Sequence, residues 1–78
     1  MITYRIKEEK LYCSDIGDYI AFGIDAFHMT DKMERLIETV PDVFLKREEA
    51  EDFVRLCNSS ELDIIHLHEI IEDTIGIN

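Results

Sequence analysis

Residues 30–44, TDKMERLIETVPDVF, decide the architecture. Met33, Leu36, Ile37 and Val40 fit helical spacing, while Arg35–Val40 suits a short strand equally well, and periodicity alone does not separate the two. We read a third strand, because two strands make a marginal sheet. Pro41 also fits the end of an edge strand, where its missing N–H leaves no ladder bond unmade. The chain is then α+β, a small antiparallel sheet of about three strands followed by two C-terminal helices packed on one face, in the order βββαα.

Upstream of that stretch the pattern has a period of two. Ile2, Tyr4 and Ile6 alternate with Thr3, Arg5 and Lys7, as expected when one sheet face is buried and the other solvated. Glu8, Glu9 and Lys10 read as a polar break, with Leu11 and Cys13 extending the strand. Ser14, Asp15, Gly17 and Asp18 then supply the residues of a turn, so a hairpin is expected. From Tyr19 to Met29, Ile20, Phe22, Ile24 and Ala26 line one face and Tyr19, Ala21 and Gly23 the other, which marks the central strand. Gly23 has no side chain to pack and points to a bulge or a close crossing.

Downstream the period changes to 3.6. Ala50, Phe53, Val54 and Cys57 fall at i, i+3, i+4 and i+7, with Glu48, Glu49, Glu51 and Asp52 early in the helix, where negative charge offsets the dipole. This helix should stop near Asn58. After Ser59 and Ser60, Asp63 is placed to cap a second helix with the stripe Ile64, Leu67, Ile71 and Ile75, ended by Gly76.

A chain of 78 residues holds one domain, residues 1–78, and its 46% hydrophobic and 33% charged content suits a folded protein. No apolar run approaches the roughly 20 residues of a membrane span, and MITYRIKEEK has charges where a signal peptide would be apolar, so a cytoplasmic location is expected. Cys13 and Cys57 are too far apart for a zinc pair and read as separate buried thiols.

The net charge of −10 is unevenly spread. Residues 1–47 carry nine acids against seven bases, whereas residues 48–78 carry nine acids against Arg55 alone. Such a field repels nucleic acid and anionic membranes and attracts basic protein surfaces. At 100° per residue the second helix sets His66, Glu69 and Asp73 opposite its apolar stripe, with Glu72 at the margin. The first helix does the same with Glu48, Glu51 and Asp52. Glu48, Glu51, Asp52, Glu69, Glu72 and Asp73 are therefore the candidate partner-binding residues, the competing reading being that acidic outer faces only keep a small protein soluble. Mixed signs are the usual composition of a face that serves solubility alone.

Other chemistry is weakly signalled. His68 and Glu72 are four apart on the helix and Glu69 follows His68, as in a zinc peptidase. The second histidine and the third ligand of that pattern are missing. Cys57 lies on an apolar stripe and Cys13 ends a strand with no base beside it, so neither is an activated nucleophile. Gly17, Gly23 and Gly76 are scattered and form no phosphate loop. No catalytic residue, metal ligand or cofactor is assigned, and the chain is read as a non-enzyme. Tyr4, Phe22, Phe27, Phe44 and Phe53 are read as core, while Tyr12 and Tyr19 are candidates for exposed anchors.

Three segments carry a resemblance: Tyr19-Ile20-Ala21-Phe22-Gly23-Ile24, Phe53-Val54-Arg55-Leu56-Cys57-Asn58, and Glu61 through Asp73 with its His66-Leu67-His68-Glu69 centre. Together they resemble a family of short proteins of unknown function from clostridial bacteria and their mobile elements. The resemblance covers most of the chain and implies no reaction.

Two classes of function stay open. The first is a small acidic protein-binding module, in its sharper form an inhibitor that occupies the basic nucleic-acid groove of a nuclease or other nucleic-acid-binding protein, by analogy with phage-encoded anti-defence proteins. It binds neither nucleic acid nor membrane directly. The second is a metal- or small-ligand-binding protein built on His66, His68, Glu69 and Glu72. A homodimer or larger homo-oligomer, whose core a symmetric partner completes, is compatible with the first.

Overall fold

The alternation of the first half folds as strands throughout. The computed structural model describes residues 1–76, and in it β1 (Ile2–Cys13), β2 (Gly17–Met29) and β3 (Glu34–Phe44) precede α1 (Arg47–Ser59), a 3₁₀ turn (Ile64–His66) and α2 (Leu67–Ile75). The strands form one antiparallel sheet in the order β1-β2-β3, so the architecture is the βββαα form of an α+β fold. Residues 30–44 contribute the third strand, and no helix among the described residues is long and apolar enough to cross a membrane.

The expected polar break at Glu8, Glu9 and Lys10 does not occur. β1 pairs with β2 without a shift from Ile2 opposite His28 to Cys13 opposite Gly17. Charged side chains are compatible with the ladder because β1 is an edge strand: Glu8 pairs with Arg47 at the start of α1 on one face, and Glu9 lies on the other, where it accepts the Asp42 N–H.

Pro41 is likewise not the end of its strand. Between Phe22 and Ile24 the partner on β3 changes from Phe44 to Val40, so Pro41, Asp42 and Val43 all stand against Gly23. This bulge absorbs the proline without ending the strand. Gly23 is where the backbones meet: a Cβ there would lie 2.6 Å from the Val40 carbonyl oxygen and 3.0 Å from Pro41 Cα. Asp42 takes the left-handed conformation, φ 55°, to turn the chain around this point. A second shift between Ala26 and Phe27 leaves Ile37 as the extra residue.

One face of the sheet carries the core. Tyr4, Phe22, Ile24, Ala26 and Phe44 are buried beneath Ala50, Phe53 and Cys57 of α1 and Leu67 and Ile71 of α2. The Phe44 and Phe53 rings meet at 5.6 Å between centroids. Each fully buried side chain of this size is worth about 1.5–3 kcal/mol of transfer free energy. Ile64 and Ile75 complete the α2 stripe as half-buried residues, and Gly76, with φ 70°, ends the helix.

The helices are shorter than the strands they cover. Thirteen helical residues span roughly 20 Å and thirteen strand residues roughly 43 Å, and the molecule measures 44 × 27 × 20 Å. The β1–β2 hairpin therefore reaches beyond the helices. Ile20 shares the face of Phe22 yet is 50% exposed, because neither helix extends over it, and Tyr12 and Ile16 at the tip are more exposed still.

Two further expectations are corrected. Phe27 is half-buried on the opposite face, where the Arg5 guanidinium stacks 4.7 Å from its ring centroid and also pairs with Glu34. Asp63 stands at the start of the 3₁₀ turn with extended backbone and makes no side-chain cap bond, so α2 proper begins at Leu67.

Candidate functional site

All six carboxylates read from the sequence are exposed. Glu48, Glu51 and Asp52 lie on α1 and Glu69, Glu72 and Asp73 on α2. Asp52 pairs with Arg55 at 2.9 Å, and Glu69 lies 3.8 Å from His66 Nδ1. Among the described residues the other four make no ion pair. Glu48 sits in the first turn of α1, where a carboxylate stabilises the helix. Glu72 and Asp73 have the opposite relation to their helix: they approach the negative end of α2, whose last turn holds no base. Their charge opposes the dipole, so helix stability does not account for it.

The helices also frame a feature that patterning did not reveal. Between α1, the C-terminal end of α2 and the end of β3 lies a groove of about 550 Å³, with Val43, Leu45, Leu56 and Ile75 as apolar lining and Glu49 and Asp52 as acidic lining. Leu45 is 68% and Leu56 56% exposed. Asp52 is the one residue of the six that lines this groove. Glu49 belongs with it and was missed, because helical spacing places it between the apolar stripe and the outer face. Leu56 likewise falls off the stripe of Ala50, Phe53, Val54 and Cys57, which already accounts for the burial of α1.

The histidine-rich turn divides rather than converges. His66 faces Glu69, whereas His68 Nε2 lies 3.3 Å from Glu38 Oε2 on β3. Among the described residues no group of three or more His, Cys, Asp or Glu side chains is placed to hold a metal ion. Both cysteines are free thiols. Cys57 is buried, and burial pushes its thiol up to about 11, which keeps it protonated at neutral pH. Cys13 is half-buried, short of the full burial expected for it.

Two polar seams hold the sheet beneath this surface. At the C-terminal end of α1 the Asn58 side chain behaves as a short piece of strand: its Oδ1 accepts the Tyr4 N–H at 2.8 Å and its Nδ2 donates to the Tyr4 carbonyl at 3.0 Å. The Tyr4 hydroxyl donates to the Leu62 carbonyl at 2.7 Å. Burial, with smaller contributions from Cys57 and Asp63, raises the Tyr4 phenol to about 12. On the other face of the sheet, Glu9 Oε2 accepts the Asp42 N–H at 3.3 Å, and Tyr19 donates to Asp42 Oδ2 at 3.0 Å. That bond raises the Tyr19 phenol. Tyr12 is the exposed aromatic of the pair singled out from sequence, and Tyr19 is half-buried and engaged.

No curated protein and no solved structure matches this chain. Residues 1–76 match a family of unknown function (DUF6514), a span that takes in all three strands, both helices and the acidic surface. The chain therefore belongs to the DUF6514 family.

Proposed function

We propose that this protein is a small acidic, non-enzymatic binding module whose helical surface takes a basic protein partner. The observation that carries the reading is the set of exposed carboxylates on α1 and α2, four of them without an ion-pair partner among the described residues, on a segment whose single strong base is Arg55. Carboxylates replace phosphates well in a basic groove, because lysine and arginine pair with either through charge-assisted hydrogen bonds. The apolar groove beside Asp52 supplies the dry centre that a carboxylate-only surface would lack.

In its sharper form the module is an inhibitor that fills the nucleic-acid-binding groove of a nuclease or repressor. The setting proposed is the cytoplasm of a clostridial host, with the gene carried on a mobile element or phage. The orientation of Glu72 and Asp73 against the helix dipole supports a role outside the fold, since a purely structural requirement would favour bases there.

The test is capture of a partner from a bacterial lysate at low salt, followed by a high-salt wash. Release of a nucleic-acid-binding protein by salt is the expected outcome. A partner retained unchanged at high salt would contradict the electrostatic mechanism.

A further inference from the structure

The outer edge of β1 carries an inference separate from the acidic helices. Three contacts fix which residues of β1 face outward. The carbonyls of Met1 and Cys13 accept bonds from Met29 and Ile16 on the β2 side, and the register between them is unbroken. The N–H and C=O of Tyr4 point the other way, to Asn58. Odd-numbered residues therefore bond to β2, and even-numbered residues direct both backbone groups away from the sheet. Tyr4 is covered by Asn58, but Ile6, Glu8, Lys10 and Tyr12 form a regular open row with no proline or bulge.

The opposite edge of the sheet differs. β3 is broken by two register shifts and by Pro41, devices that stop a further strand from pairing. Among the described residues, only β1 offers an edge that a strand can join over several residues.

We propose that this edge pairs antiparallel with β1 of a second copy of the chain, centred on Glu9, to give a continuous six-stranded sheet. The register follows from charge. With Glu9 on the two-fold axis, Glu8 stands opposite Lys10 of the second copy, and symmetry repeats the pair. Ile6, which packs against the core, stands opposite Tyr12, which is 72% exposed in the single chain. Shifting the axis to residue 8 or 10 would set Glu8 against Glu8 or Lys10 against Lys10, and like charges directly opposite are unfavourable. In the chosen register the four outward residues of each copy form hydrogen-bonded pairs, giving about eight inter-strand bonds.

The two Glu9 side chains do not oppose this arrangement. Each is drawn across its own sheet to the Asp42 N–H, with Lys7 Nζ at 3.9 Å, and is only 16% exposed. Glu8 keeps half of its side-chain surface free beside Arg47 and has room for a second cation.

The test is the mass in solution across a concentration series, by sedimentation equilibrium, for the wild-type chain and charge variants. The wild-type chain is expected to move from monomer to dimer. Lys10→Glu alone and Glu8→Lys alone should each weaken the dimer at least five-fold, with unchanged circular dichroism. Mixing those two variants should restore association, because each then meets the opposite charge, and the double variant Glu8→Lys/Lys10→Glu should dimerise with itself. A wild-type chain that stays monomeric at its highest soluble concentration overturns the proposal. So does a dimer that neither single substitution weakens, or one that mixing does not restore.

Discussion

The two halves of this molecule use charge differently. In residues 1–47 acids and bases nearly balance, and several pair: Arg5 of β1 with Glu34 of β3, Lys7 with Glu9 along β1, and Arg47 at the start of α1 with Glu8. In the helical half the acids outnumber Arg55 nine to one, and most are left facing water. The comparison separates charge that the fold consumes from charge that it leaves over. The sheet half would lose connections if its charges were removed, whereas the helical half would relax.

The largest effect should come from the seam that joins the halves. The Tyr4 side chain is 1% exposed and its hydroxyl is tied to the loop after α1 through the Leu62 carbonyl, while its backbone is tied to α1 through Asn58. Tyr4→Ala is expected to destabilise the protein by about 3–5 kcal/mol, as measured by urea denaturation. The same residue sets the alkaline limit. Its phenol rises from 10.0 to about 12, and the Cys57 thiol rises from 9.0 to about 11. The unfolded chain therefore releases these protons first. Stability from both groups should be intact below about pH 9 and fall progressively towards pH 12, read as a declining Tm, with Tyr4→Phe flattening the upper part of that fall.

Smaller effects probe each half alone. Gly23→Ala would drive a methyl group into the Val40 carbonyl and force the Pro41–Asp42 bulge to move. A loss of about 1–3 kcal/mol is expected, with the helical half intact by circular dichroism. Replacing Glu72 and Asp73 by lysine should act with the opposite sign. It removes negative charge from the C-terminal end of α2 and from a crowded acidic surface, so a gain of about 0.3–1 kcal/mol is expected while partner binding falls. A loss of stability in that variant would mean that these acids serve the fold, and the contrast between the halves would fail.

Much of this was legible in the residues. The period-two alternation of Ile2 to Ile6 and the small residues around Gly23 announced a sheet with a close crossing, and the apolar stripes of α1 and α2 announced helices on one face. The misreadings share a cause. Glu8 to Lys10 read as a break, and Ile20 as part of a covered face, because local pattern carries no information on how far a covering helix reaches. Phe27 reads as core by its type, although its position in the ladder puts it on the face where Arg5 covers it. Asn58 was visible only as the end of a helix. Its pairing with Tyr4, 54 residues away, depends on how the helix docks and has no local signature. The carboxylates of the candidate surface were readable because helical periodicity alone exposes them, but the apolar groove between the helices was not, since it arises from three elements meeting.

Whether the helical carboxylates hold a partner is measured by salt-graded capture with the wild-type chain and the Glu69→Lys/Glu72→Lys/Asp73→Lys variant side by side, each first shown to be folded. The wild-type chain should retain a basic protein at low salt and release it at high salt, and the folded variant should retain none. Equal capture by both chains would contradict the claim that the helical carboxylates are held for a partner.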